Sequence, residues 1–139
     1  MRGQNAFTFS ELLIAAAVLA MLAAVAVPRF YAINSEIRAG AVEALAVNVQ
    51  SSANLTNRIW LANDRPARLT VDGEILEMRY GFPTESSISK VIVNSGEFVF
   101  QEGFFNHREL LSTPGCAVLY IPPSNSDAEP LVITYTDGC

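Results

Sequence analysis

The chain predicts an α+β fold, with one very long N-terminal helix whose second half packs on a small antiparallel β-sheet. Three observations carry this. From Leu12 to Val27 every residue is apolar, a run that with Phe7 onward is about long enough to cross a bilayer as a helix. Beyond Pro28, apolar residues recur at three- and four-residue steps for about another thirty positions, the period of an amphipathic helix. After Pro66 the pattern changes to short β-rich runs punctuated by Gly, Pro and Asp. The boundaries that follow are a polar leader over residues 1–6, an apolar helix half over 7–29, an amphipathic half over 30–63 and a globular β-rich domain over 64–139.

Taken in order, Met1 to Ala6 is short and polar with one positive charge, Arg2. Pro28 removes one backbone donor and is expected to kink the helix without ending it, because the helical pattern resumes at once. Phe30, Ile33, Ile37, Ala41, Leu45, Val49 and Ala53 form the apolar stripe, while Glu36, Arg38, Glu43 and Asn48 fall on other faces. Asn63-Asp64 and then Pro66 read as the stop. A helix from Phe7 to Asn63 would be roughly 80 Å long, too long for any small domain to bury, so its first half must find lipid or copies of itself.

Arg68 to Val71 and Glu74 to Tyr80 flank Asp72-Gly73, the signature of a two-residue hairpin. Leu76, Met78 and Tyr80 share its apolar face, opposite Ile75 and Glu77, and Gly81-Phe82-Pro83 ends the strand. Thr84 to Val93 fits either a short helix capped by Thr84 or a loop leading to a strand at Lys90 to Val93. Glu97 to Gln101 alternates as a strand. Phe104 to Leu111 fits no single element, with Phe104 and Phe105 expected in the core. Cys116 to Ile121 and Leu131 to Thr136 read as two strands joined by a polar loop from Pro122 to Pro130. If these pair antiparallel, Cys116 lies opposite a residue near Thr136 and Cys139 needs only a short curl to reach it, so a Cys116–Cys139 bridge is geometrically reasonable. The two cysteines fit no metal-ligand spacing.

Composition narrows the function classes. The net charge is −5 and Lys90 is the only lysine, which disfavours nucleic acid as a partner; Arg58, Arg65 and Arg68 read as a solvated helix end and turn. No Gly-rich phosphate loop, nucleophile elbow or metal cluster is present, so neither cofactor, metal nor catalytic residue is expected. Asp72, Glu74 and Glu77 sit too near a turn for a calcium loop. The single histidine, His107, sits among Asn106, Arg108 and Glu109 and reads as a surface turn; Trp60 is expected to pack under the sheet. Ser86-Ser87 and Ser124-Asn125-Ser126 are candidate acceptors for glycans.

Three readings of the N-terminus compete on residues alone. One is a cleaved secretory signal with Ala24-Val25-Ala26 as its small-x-small site, which would release a monomeric periplasmic module. Another is a plain signal anchor with Arg2 kept inside. Neither accounts for Glu11, a carboxylate that is costly in an apolar span and that the helix dipole merely tolerates.

The third reading comes from the pattern itself. Ala6-Phe7-Thr8-Phe9-Ser10-Glu11-Leu12-Leu13, followed by the apolar run and Pro28, resembles the N-terminus of type IV pilins and pseudopilins. The resemblance implies the pilin fold and cleavage between Ala6 and Phe7 by a prepilin peptidase. It further implies N-methylation of Phe7, with Glu11 fifth and Pro28 twenty-second in the mature chain. The residue before the cut is Ala6, where the family has Gly, which points to slower cleavage. The resemblance also implies an inner-membrane stage with the C-terminal domain in the periplasm, an assembly platform there, and a homopolymer that becomes an extracellular filament. In that compartment a Cys116–Cys139 disulfide is expected. In an assembled low-dielectric core Glu11 needs a partner, and the natural one is the ammonium of mature Phe7, on a neighbouring subunit or on its own helix four residues away. The tail, Cys116-Ala-Val-Leu-Tyr-Ile121 through Asp137-Gly138-Cys139, and the run Val71 to Pro83 are similar to mannose-sensitive haemagglutinin (MSHA) pilins. That narrower resemblance implies a pilus for surface attachment and motility. A minor pilin and a type II secretion pseudopilin share the same features.

Overall fold

The computed structural model describes residues 8–93, 95–111 and 115–139. Helix α1 runs Phe9–Ala62 with Pro28 inside it, so the proline does not end the helix. The chain divides into two compact units, one up to Glu36 and the other Ile37–Cys139. In the first unit, α1 presents apolar side chains on every side and all are exposed, from Phe9 through Val27 to Tyr31. In the second unit its buried residues are Val42, Leu45, Val49, Ala53 and Thr56, a stripe at three- and four-residue steps. Ile37, the predicted start of that stripe in this unit, is exposed, and burial along the helix begins at Val42.

The helix stops as expected. Asp64 and Arg65 both take left-handed backbone, and the Arg65 amide donates back to the Trp60 carbonyl at 3.1 Å, the reversal that satisfies orphan carbonyls at a helix end. Three two-residue hairpins then build most of the β structure. Strands β1 (Arg68–Val71) and β2 (Glu74–Arg79) pair antiparallel around Asp72-Gly73, both with positive φ, the turn that matches strand twist. Tyr80-Gly81 repeats the device between β2 and the two-residue β3 (Phe82–Pro83). Tyr80 is therefore a turn residue rather than part of the apolar strand face, and Phe82-Pro83 returns as a strand rather than ending one. Glu102-Gly103 is the third such turn, between β4 (Phe98–Gln101) and β5 (Phe104–His107).

Helix α2 (Glu85–Val91) follows Thr84 and decides between the two readings of that segment in favour of helix. Thr84 stands at the cap position, and its hydroxyl donates to the Ser87 hydroxyl at 3.1 Å rather than accepting from a cap amide. Ser87 Oγ in turn accepts the Glu77 amide at 2.9 Å, tying α2 to β2. A short 3₁₀ turn (Arg108–Leu110) leads on to β6 (Ala117–Ile121) and β7 (Leu131–Tyr135). The strands thus form two sheets rather than one: β1-β2-β3 and β4-β5-β6-β7, each antiparallel throughout.

The core joins Val42, Leu45, Val49 and Ala53 to Ile88, Phe105, Val118 and Tyr120. Tyr120 is fully buried and its hydroxyl donates to the Pro83 carbonyl at 2.9 Å. Burial pushes that phenol above its ordinary value. Because ionisation is then harder in the folded state than in the unfolded one, stability is intact below about pH 10 and is lost as pH rises beyond it. Tyr120→Phe should flatten that alkaline decline while lowering stability at neutral pH by roughly 1–2 kcal/mol, since the Pro83 carbonyl loses its donor. Urea melts of the detergent-solubilised chain at pH 7 and above pH 10 check both.

His107 corrects the sequence reading. It is 5% exposed rather than part of a surface turn, and its ring meets Phe98 edge-on at 5.4 Å. Strand alternation explains the placement, since His107 lies two residues from fully buried Phe105 and shares its face. Phe104, on the other face, is only half-buried, against Tyr135 at 6.3 Å. Trp60 is half-buried and braces the second hairpin turn. Its Nε1 donates to the Pro66 carbonyl at 2.8 Å, and a Cβ built at Gly81 would lie 2.9 Å from its ring and 2.7 Å from Asn57 Nδ2. Gly81→Ala should accordingly cost roughly 1–3 kcal/mol from backbone strain plus collision. Gly73→Ala, with equal positive φ but open space around it, should cost only the strain, about 1 kcal/mol. The difference between the two denaturation midpoints isolates the collision.

Candidate functional site

The functional features of the chain lie at its two ends. At the N-terminus α1 opens with a capping box: the Glu11 carboxylate accepts the Thr8 amide at 2.8 Å and the Thr8 hydroxyl at 2.8 Å. Thr8 Oγ1 also accepts the Glu11 amide, at a long 3.4 Å. Two orphan donors are thereby satisfied reciprocally. The sequence reading pairs Glu11 with the Phe7 ammonium, on a neighbouring copy or on its own helix, and misses Thr8, although Thr8-Phe9-Ser10-Glu11 is an S/T-x-x-E pattern that signals it. The box orients the carboxylate at the helix start, ahead of the apolar run. Ala6 and Phe7, the predicted cleavage pair, lie outside the described residues.

Among the described residues α1 is the one helix long and apolar enough to cross a membrane, and none of the residues in its most apolar stretch is buried. Such a surface in water would be unsupportable for an isolated soluble domain. Pro28 sits near the end of that stretch, fully within the helix.

At the other end Cys116 and Cys139 are bonded, their Cα atoms 4.8 Å apart. The register explains it: Ala117 pairs with Tyr135, placing Cys116 opposite Thr136, and the Gly138 amide bonds the Gly115 carbonyl at 2.9 Å to turn the chain back. Arg38 anchors this loop to α1, with Nη1 3.4 Å from the Cys139 carbonyl and Nη2 3.0 Å from Glu109.

The remaining candidates do not converge. Arg65 lies over the Trp60 ring at 5.9 Å and Arg68 faces Glu77 at 3.8 Å, so the arginines form no common patch with exposed Arg58. Ser87 is buried and hydrogen-bonded, which removes it as a glycan acceptor, while Ser86, Ser124 and Ser126 are exposed. Among the described residues no three His, Cys, Asp or Glu side chains group as metal ligands.

Comparison with known proteins bears on the N-terminal feature. No curated protein and no solved structure matches the chain significantly. Residues 1–27 match the family model described as the prokaryotic N-terminal methylation motif, and with the long helix and disulfide-closed antiparallel sheet that follow, they carry the signature of type IV pilin-like or pseudopilin proteins.

Proposed function

We propose that this chain is a structural subunit of an MSHA-like type IV pilus. The observation that carries the proposal is the wholly exposed apolar first half of α1, opened by Glu11 and lying largely within the methylation motif matched over residues 1–27. A prepilin peptidase cuts between Ala6 and Phe7, and Phe7 is then methylated. The subunit waits as a single-pass inner-membrane protein with residues 64–139 in the periplasm. An assembly platform transfers the helix from lipid into a filament core made of other copies. The exchange costs little because both environments accept the apolar surface, so packing and polar groups drive association and decide register. Glu11 is the one acidic group in the first unit before Pro28, and in the filament it meets the Phe7 ammonium of a neighbouring subunit. Pro28, which removes one intrahelical hydrogen bond, lets the helix bend within its exposed half. No reacting group is needed for any of this, and the chain acts as an adhesive building block rather than an enzyme.

Mass spectrometry of the mature chain tests processing: it should start at methylated Phe7, and a start at Val27 would overturn the reading. Sheared surface filaments should contain this chain as their bulk component. Its presence there only in traces would favour a minor pilin, a reading that Ala6 in place of Gly at the cut also supports. Retention in a secretion apparatus without surface filaments would favour a pseudopilin.

A further inference from the structure

We propose that adjacent copies also join through their four-stranded sheets, the free edge of β7 in one copy pairing antiparallel with the free edge of β4 in the next. The inference rests on the polymer reading, because an edge of four or five residues is far smaller than the roughly 1,200 Å² of a stable independent interface.

The ladder shows which backbone groups face outward. The His107 amide bonds Cys116 O and the Tyr120 amide bonds Gly103 O, each at 3.0 Å, so Cys116, Val118 and Tyr120 face β5. Alternation along an antiparallel strand then turns Ala117, Leu119 and Ile121 toward β7, where they meet Tyr135, Ile133 and Leu131. Val132 and Thr134 are left pointing away from the sheet. On the far edge the Arg108 amide bonds Glu97 O at 2.8 Å, which by the same alternation turns Val99 and Gln101 inward and Phe98 and Phe100 outward. The Phe98 amide is taken by Ser95 O. The Phe98 carbonyl and both backbone groups of Phe100 have no backbone partner among the described residues.

Neither edge carries the usual protection. Phe98–Gln101 and Leu131–Tyr135 contain no charge, proline or glycine and are rich in aromatic and β-branched residues, whereas exposed edges are ordinarily blunted by charge, proline or bulges. Carboxylates stand just outside the strands, at Glu97 and Glu102 and at Glu129 and Asp137, which confines pairing to the uncharged stretch. The sheet face opposite the core is also uncharged, with Leu131 and Tyr135 54% and 41% exposed.

Strand number decides the geometry. In a four-stranded antiparallel meander the first and last strands run in opposite directions. A second copy in the same orientation therefore sets its β4 antiparallel to β7 of the first. The contact uses two different edges, so it is head-to-tail and can repeat along a filament, unlike a two-fold dimer contact. Full overlap of β4 on β7 sets Phe100 opposite Val132 and Gln101 opposite Leu131.

The test places Gln101→Cys and Leu131→Cys together in the full-length chain, in cells that assemble it, with peptide mapping to verify the native bridge. Non-reducing gels of sheared filaments should show a ladder of dimers, trimers and higher multimers, and neither single variant should give one. Filaments without a ladder overturn the pairing, and a dimer from Leu131→Cys alone overturns it in favour of a two-fold β7 contact. The second test is Thr134→Pro, which deletes an outward amide and leaves the β6 ladder intact, against Thr134→Val, which keeps it. Circular dichroism should match wild type for both, with sheared filament yield falling several-fold for the proline variant alone. Unchanged yield overturns the proposal and leaves the helix-core polymer standing; wild-type cells without filaments overturn both.

Discussion

Replacing Glu11 by Gln should abolish surface filaments while leaving the subunit folded and in the membrane. The capping box is what makes this substitution informative. Glutamine is the other residue that serves the N3 position of such a box, so its side-chain carbonyl can still accept from Thr8 and the helix start is kept. What disappears is the negative charge. An unpaired ammonium in a low-dielectric filament core then has no counterion, and removing one partner of such a pair typically costs about 3–5 kcal/mol. Summed over every subunit contact, that is enough to stop growth. Glu11→Ala removes charge and cap together and should also lower helicity at the start of α1. Membrane fractionation, circular dichroism and electron microscopy of sheared material separate these effects. Normal filaments from Glu11→Gln would show that the residue acts only as a cap.

Loss of the Cys116–Cys139 bridge should have the largest effect on the globular unit. The residues are 23 apart in sequence, and the chain-entropy account assigns such a loop about 3 kcal/mol. The core is thin, so that is a large share of the stability such a unit can hold. Cys116 is 3% exposed and packs in the core cluster, whereas Cys139 lies at its margin. Cys139→Ser should therefore report the lost bridge most cleanly, and Cys116→Ser should cost more because it also places a hydroxyl in the core. The Arg38 contact still tethers the C-terminus in the first variant. Urea midpoints for both, with and without reductant on the wild type, check the order. Wild type treated with reductant should resemble Cys139→Ser.

Much of the fold was legible because its signals are local and periodic. The helix Phe9–Ala62, the Asp72-Gly73 hairpin and the final strand pair follow from spacing, and the register of that pair puts Cys116 within reach of Cys139. The remainder depended on longer-range geometry or on weaker dipeptides. Tyr80-Gly81 and Glu102-Gly103 make the same turn as Asp72-Gly73, but tyrosine and glutamate are poor turn residues and hide it. His107 looks solvated from its neighbours in sequence, and only strand alternation beside Phe105 shows it buried. Ile37 fits the helical stripe, yet it is exposed, because period alone does not say how far along the helix the core extends. At the N-terminus the methylation motif was readable residue by residue. The Thr8–Glu11 box is readable too, but the four-residue spacing of Glu11 from Phe7 points to the Phe7 ammonium instead of to Thr8.

The order of synthesis gives the core an unusual exposure. Val42, Leu45 and Val49 are made early, but the residues that cover them include Val118 and Tyr120, about seventy positions later. At ordinary elongation rates that interval is on the order of ten seconds, whereas the hairpins in between can close within microseconds. The second half of α1 therefore waits uncovered for strands that do not yet exist. During that wait its apolar stripe is open to lipid, to chaperones and to other nascent copies. Any mutation that slows the last two strands would lengthen this window and so raise aggregation without changing the final stability.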